Sequence, residues 1–122
     1  MLVQALEQVM SARQMRFLAL VDSTGAVRGE VGNRAVLAEI DPYGEYLGSP
    51  DAISQTVSWV WEHELTPQAS TNGALTLVIF KLFPDRAAIG VMDGKPNYAF
   101  RYPEMVEVEN ELRTIAATWA GS

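Results

Sequence analysis

The sequence predicts an α+β fold of order αββαβββα, in which helices pack on one five-stranded antiparallel sheet. Three observations carry this prediction. Helical periodicity occurs at both ends and in the middle of the chain, a turn cluster near residue 22 joins two β-rich runs, and residues 74–83 form a continuous apolar run. The 122 residues contain no repeat and no linker, and they predict one domain over residues 1–122.

The first elements are a helix and a hairpin. Residues 2–13 repeat apolar side chains with the 3.6-residue period of an amphipathic helix. The apolar run RFLALVD (16–22) is too short for a helix and predicts a buried strand, and residues 27–31 alternate like a strand with one solvent-exposed face. Between the two runs, Gly25 stands fourth in DSTG, where a turn that closes in a bulge requires positive φ.

The middle of the chain contains one ambiguous segment and one clear helix. In residues 32–48, RAVLAEI is compatible with a third strand or a single helical turn, and DPYGEY is rich in turn residues. Ser49-Pro50-Asp51 then predicts a helix start, with serine as N-cap, proline at the first position and an acid in the first turn. The predicted helix covers residues 51–65.

The last part of the chain predicts three strands and a helix. Residues 74–83 are apolar on both faces, RAAIGVM follows the turn at Pro84-Asp85, and NYAFRY (97–102) alternates so that Tyr98, Phe100 and Tyr102 share a face. Pro103 is predicted to occupy the first position of the final helix, with Glu104 and Glu107 in its first turn.

Composition excludes several classes of function. A net charge of −6 and a pI near 4.6 argue against nucleic-acid binding and against docking on anionic lipid, since both require a basic surface. The absence of cysteine excludes disulfides and thiolate chemistry. No apolar run has the length of a membrane span, and the N-terminal pattern is not that of a signal peptide. We therefore expect a cytoplasmic protein without membrane insertion.

No catalytic, cofactor-binding or metal-ligating constellation is found, and we predict neither enzymatic activity nor a cofactor. His63 is the only histidine, and proline stands at position 67, where a zinc-protease helix would need a second histidine. DSTG lacks the later acids of a calcium loop, and the neighbouring glycines do not have the spacing of a phosphate-binding loop. Asp22 is therefore interpreted as a turn former, and His63 as a surface or capping residue near a helix end.

Features suited to association remain. Trp59 lies off the apolar stripe of its helix, and a long strand that is apolar on both faces is hazardous at a sheet edge unless another chain covers it. A central strand under two helices is an equally good interpretation. Tyr43 and Tyr46 fit either packing or an aromatic interface contact.

The sequence resembles the Roadblock/LC7 family in three features. These are the element order, the stretch FLALVDSTGAV after the first helix, and the stretch LTLVIFKLFPDRAAIGVMDG before the last helix. Only residues 32–50 are longer than the usual link between the second strand and the second helix. The resemblance implies a profilin-like architecture and a homodimer built through residues 51–65 and 74–83, with ten strands in one sheet. It also implies a non-enzymatic scaffold or regulator that binds a small Ras-like GTPase or a larger complex.

The residues expected at the dimer or partner interface come from the helix, the following strand and the tyrosine loop. They are Tyr43, Tyr46, Ile53, Val57, Trp59, Val60, Trp61, Leu75, Leu77 and Ile79. Two other functions remain open. An acidic secretion-type chaperone would bind an extended effector segment, and it gains weight if RAVLAEI is a strand. A small-molecule sensor would use Trp59, Tyr98 and Phe100 to line a pocket.

Overall fold

The computed structural model describes residues 2–119 and contains four helices and five strands over that range. The helices are α1 (Leu2–Ala12), α2 (Arg34–Ile40), α3 (Pro50–Trp61) and α4 (Tyr98–Trp119). The strands are β1 (Phe17–Asp22), β2 (Val27–Gly32), β3 (Gln68–Thr71), β4 (Leu75–Phe83) and β5 (Arg86–Asp93). In this range, no helix combines the length and the hydropathy that crossing a membrane requires.

The five strands form one antiparallel sheet in the order β2-β1-β5-β4-β3. The order places β1, β5 and β4 inside the sheet, and all six residues of β1 are buried. The short strands β2 and β3 form the two edges. The predicted α+β fold, with helices packed on a five-stranded antiparallel sheet, is confirmed.

Each face of the sheet has its own apolar core. On one face, α1 and α4 cover residues that include Leu18, Val78, Phe80 and Met92. On the other face, α2 and α3 cover the alternating set that includes Phe17, Leu77, Ile89 and Val91. Because both faces are covered, the interior strands are mostly apolar on both faces rather than alternating between apolar and polar residues.

The hairpin and the start of α3 follow the predictions. Gly25 has φ +87°, and the β1–β2 register shifts after Leu20, which gives the expected bulge. The hydroxyl of Ser49 accepts a hydrogen bond from the backbone N–H of Ala52 at 3.1 Å, and Pro50 begins the helix. The helix ends earlier than predicted, at Trp61 instead of residue 65.

The ambiguous segment RAVLAEI is a helix, α2, of seven residues. The side chain of Asn33 caps it by accepting a hydrogen bond from the backbone N–H of Ala35 at 3.0 Å. Val36 and Leu37 are buried against the sheet. The additional strand that would have favoured a chaperone-type element order is therefore not formed.

The strand prediction for NYAFRY is wrong, because these residues form the start of α4. Asn97 caps this helix by accepting a hydrogen bond from the backbone N–H of Ala99 at 2.7 Å. Because the helix already begins at Tyr98, Pro103 lies inside it instead of at its first position. The fifth strand is instead β3, a four-residue polar segment that the sequence pattern did not predict as a strand. Because this strand is largely exposed, its residues do not alternate between apolar and polar, and that alternation is the pattern by which strands are recognised in a sequence.

Candidate functional site

The outer surface of α3 carries two large exposed aromatic side chains. Trp59 is 43% exposed and Trp61 is 40% exposed, whereas Ile53, Val57 and Val60 of the same helix are buried in the core. Large apolar side chains that stay partly exposed are enriched at protein interfaces. The exposed side of α3 is therefore the first candidate for a contact surface.

Both tryptophans are held by neighbouring groups at the end of α3. The rings of Trp59 and His63 lie 4.2 Å apart, and Nδ1 of His63 is 2.8 Å from the carbonyl oxygen of Trp59. Lys81 places its Nζ 4.9 Å from the centre of the Trp61 ring and donates a hydrogen bond to the carbonyl oxygen of His63 at 2.6 Å. The interpretation of His63 as a residue that caps a helix end agrees with this geometry.

A cleft of about 310 Å³ lies beside Trp59, between α3 and the loop that precedes it. Its lining consists of Glu45, Tyr46, Gln55, Thr56 and Trp59. Burial raises the pKa of the Tyr46 hydroxyl, and the charges of Glu45 and Asp41 raise it further. The cleft thus combines two aromatic rings with a carboxylate close enough to act on one of them.

The loop beside the cleft is fixed by two buried polar residues. The carboxylate of Asp41, 7% exposed, accepts hydrogen bonds from the backbone N–H groups of Glu45 at 2.8 Å and Tyr46 at 3.0 Å. The single hydroxyl proton of Thr56 faces two carbonyl oxygens, that of Ala52 at 2.8 Å and that of Tyr46 in the loop at 3.1 Å. Because these hydrogen bonds fix the loop and its contact with α3, the cleft is preformed.

The sheet edge next to α3 is formed by β3. Where β4 extends beyond β3, side chains of α4 bind the free backbone groups of β4. Glu109 of α4 accepts hydrogen bonds from the backbone N–H of Lys81 at 2.9 Å and from the hydroxyl of Thr66 at 3.1 Å. Arg113 donates to the carbonyl oxygen of Lys81 at 2.8 Å. Within the described residues, the four of β3 therefore present the free strand edge on this side of the sheet.

The ten residues expected at an interface divide into two groups. Six of them fill the core between α3 and the sheet: Ile53, Val57, Val60, Leu75, Leu77 and Ile79. The four aromatic residues lie nearer the surface, with Tyr43 88% exposed and Tyr46 half-buried beside Trp59. Of the set, the aromatic residues are the ones whose side chains another molecule can reach.

The pocket expected for a small-molecule sensor is not formed by the residues proposed for it. Phe100 is 82% exposed at the start of α4. Tyr98 packs against the core under α1 and α4 and donates a hydrogen bond to the carbonyl oxygen of Pro67 at 3.3 Å. Trp59 lies across the sheet, on the face covered by α3. The three side chains therefore line no common cavity.

The hairpin turn is structural. The Asp22 carboxylate is 6% exposed and accepts hydrogen bonds from the backbone N–H of Thr24 at 2.9 Å and from Nε of Arg28 at 2.5 Å. Its oxygen atoms are thus engaged within the turn. Within residues 2–119, no group of three or more acidic or histidine side chains is arranged to hold a metal ion.

Sequence reasoning missed Glu45, Gln55 and Lys81 as parts of the surface, and it missed the edge strand β3. A signal for the acidic residue was present in the sequence. Residues 35–80 contain six acidic residues and no lysine or arginine. Such a segment presents one sign of charge wherever it reaches the surface.

No family model matches the sequence, and no curated protein is similar enough in sequence to count as a relative. Solved structures of MglB do match the fold. MglB of Myxococcus xanthus superposes with a TM-score of 0.62 at 14% identity, covering 96% of this chain and 95% of the other. The gliding protein MglB of Thermus thermophilus gives 0.60 at 15% identity, over 96% and 89%. An MglB structure with a tetrameric arrangement gives 0.61 at 16% identity, over 96% and 88%.

The agreement extends over nearly the whole chain. At these identities the likeness establishes the arrangement of helices and strands. The chain has the fold of MglB, which is the Roadblock/LC7 fold that the sequence resemblance implied.

Proposed function

We propose that this protein is a non-enzymatic, cytoplasmic homodimer that binds a small Ras-like GTPase, or a larger complex, through protein–protein contacts. The observation that carries the proposal is the likeness to MglB over 96% of the chain, because the Roadblock/LC7 fold implies regulation of small GTPases. One of the similar structures is an MglB with a tetrameric arrangement. Oligomer formation by this chain is part of the same proposal.

The dimer is proposed to form through α3 and β3. The family resemblance implies residues 74–83 as the joining strand, but β4 is paired with β5 on one side and with β3 on the other. The free edge beside α3 belongs to β3, so β3 is the strand that can extend the sheet into a second copy.

The oligomeric state tests the dimer directly. We expect the parent protein to be a dimer by light scattering at micromolar concentration. Ser70 is exposed in β3, and its partner in the register, Leu77, faces α3. S70E should therefore give a monomer, because a charged side chain on an edge strand opposes strand pairing and adds to the negative charge that the two copies bring together.

The matched control is S11E, which places the same charge on the exposed side of α1, across the sheet from α3. This variant should remain dimeric. A monomeric parent, or a dimer that survives S70E, contradicts the proposed interface.

The partner is tested by affinity capture with mass spectrometry. We expect a Ras-like GTPase to co-purify with the parent chain and to be lost from the double variant W59A/W61A. The control is F100A, which removes an exposed aromatic side chain from α4 instead of α3. Recovery of an extended effector peptide without a GTPase would instead favour the secretion-type chaperone.

A further inference from the structure

The charge of this protein is segregated along the chain. All nine lysine and arginine residues lie outside residues 35–80, and this segment holds six acidic residues. Its formal charge of −6 equals the net charge of the whole chain, so the remaining residues are balanced. The segment contains most of α2, the loop after it, and all of α3 and β3. The surface formed by α2, α3 and the loop between them is thus the acidic side of the protein.

The four acids of α4, on the opposite face, form ion pairs within the chain. Arg13 forms ion pairs with Glu104, Glu107 and Glu111, with a separation of 3.2 Å to Glu107. Glu109 pairs with Arg113 at 3.7 Å.

The acids around α3 have no such partners. In the described part of the chain, the side chains of Glu39, Glu45, Asp51, Glu62 and Glu64 make no ion pair. Of the nearest cations, Arg34 is paired with Glu30, and Lys81 is bound to the His63 carbonyl and the Trp61 ring. Charge complementarity therefore favours a basic partner on this face.

One position on this face offers specific recognition in addition to charge. In the preformed cleft, the exposed Glu45 carboxylate and Gln55 amide stand beside the rings of Tyr46 and Trp59. A guanidinium group suits this set better than other cations. It is planar, it forms two parallel hydrogen bonds with a carboxylate, and it stacks on aromatic rings.

We propose that the cleft between Glu45 and Trp59 binds the guanidinium group of an arginine presented by a protein partner. Glu45 accepts its hydrogen bonds, the Gln55 side-chain oxygen can accept one more, and Trp59 provides the aromatic surface. The inference deepens the proposed function by naming the chemistry through which the α3 face recognises its partner, and it rests on that function for the partner being a protein.

The probe is the peptide acetyl-Gly-Arg-Gly-amide, titrated into the full chain and followed by the NMR signal of the Trp59 indole N–H. We expect a saturable shift. The citrulline peptide, which keeps the shape of arginine but lacks its charge, should give no saturable shift. The lysine peptide should bind more weakly than the arginine peptide. Equal binding of all three peptides would overturn the proposal.

Two glutamate variants locate the site. E45Q should weaken binding of the arginine peptide about tenfold, because it removes one charge-assisted contact. E62Q removes the same charge from an exposed position at the end of α3, outside the cleft lining, and should leave binding within about twofold. An equal loss in both variants would show attraction to the acidic face as a whole and would overturn a specific site.

The outcome is separable from that of the proposed function. Peptide binding is measured on the isolated chain and requires no GTPase. If the peptide binds in the cleft but affinity capture recovers no GTPase, the proposed function fails and the arginine site stands. If the GTPase is captured but E45Q binds the peptide as the parent does, the arginine site fails alone.

Discussion

Gly25 and Gly73 have nearly the same backbone conformation but different surroundings. Their φ angles are +87° and +93°, a region that side-chain-bearing residues rarely adopt. A Cβ atom at Gly73 would meet nothing within 4 Å. A Cβ atom at Gly25 would lie 2.6 Å from the carbonyl oxygen of Pro50, because the hairpin turn packs on the start of α3. The pair separates the effect of conformation from the effect of packing.

We expect G73A to lower the free energy of unfolding by about 1 kcal/mol, the cost of placing alanine in the left-handed region. G25A should cost about 1–3 kcal/mol more, because the backbone of Pro50 must also move. Urea denaturation of the two variants and the parent measures both values. Equal losses would show that the turn does not press on α3.

Asp22 joins local turn chemistry to stability. Burial opposes ionisation of its carboxyl group, but hydrogen bonds from Thr24, Arg28 and Ala26 outweigh burial and lower its pKa. The ionised form is therefore favoured in the folded state. Its contribution to stability is present above the unfolded pKa of about 3.9 and is lost as the pH falls through the lower folded value.

We expect D22A to lower the free energy of unfolding by about 2 kcal/mol at neutral pH, the usual scale for hydrogen bonds to a charged group. The difference from the parent should shrink once the pH falls below about 4. Urea denaturation across this pH range measures the effect. A difference that stays constant with pH would mean that the charge of Asp22 contributes nothing.

At the scale of elements, the parts that were predictable are those whose signals are local. The Ser49 cap, the Gly25 turn and the periodicity of α1 each depend on neighbouring residues. The start of α4 was missed because Tyr98, Phe100 and Tyr102 alternate like a strand. In the helix, Tyr98 and Tyr102 are instead one turn apart, with ring centres at 5.9 Å.

The candidate surface was predictable only in part. The exposed position of Trp59 follows from its place off the apolar stripe of the helix. The cleft depends on how the loop after α2 folds back on α3 through Asp41 and Thr56. The loop has no periodic pattern of apolar residues, so its contacts with α3 cannot be derived from the spacing of residues along the chain. The edge strand β3 was missed for a related reason, since its pairing with β4 is set by the sheet and not by its own residues.

The helix α4 also fixes the segment that leads into β3. Tyr102 donates a hydrogen bond to the carbonyl oxygen of Thr66 at 3.1 Å, and Glu109 binds both Thr66 and Lys81. Burial raises the pKa of Glu109, although its hydrogen bonds and the charges of Arg113 and Lys81 oppose the rise. The folded protein therefore holds the Glu109 proton more tightly than the unfolded chain does.

For Glu109 the pH dependence has the opposite sign to that of Asp22. Stability falls as the pH rises from the unfolded pKa of about 4.3 through the higher folded value. Over this range the native state loses a proton that it binds more tightly than the unfolded chain does. E109Q, which keeps a hydrogen-bond acceptor without the charge, should not show this loss. We expect the stability of the parent relative to E109Q to be lower at pH 7 than at pH 4, as measured by urea denaturation. The reverse trend would contradict a penalty from burial.

At the scale of the whole molecule, the segregation of charge sets two associations against each other. The proposed homodimer through α3 and β3 would bring together two segments of formal charge −6, whereas a partner that presents arginine would bring positive charge to such a segment. Repulsion between copies would weaken this dimer at low ionic strength, and attraction would strengthen the complex with the partner under the same conditions. Apolar contacts in either complex would not share this dependence on salt.

We therefore expect opposite salt dependence for the two complexes. Raising the ionic strength from about 0.01 M to about 0.15 M shortens the screening length from about 30 Å to about 8 Å. Over this range the dimer should tighten in analytical ultracentrifugation, and binding of the arginine peptide should weaken. In the double variant E45Q/E62Q, which removes two of the six charges from each segment, the dependence of dimerisation on salt should become shallower. A dimer that weakens with added salt would place the contact between copies on another face, where Arg13 and its glutamates provide charges of both signs.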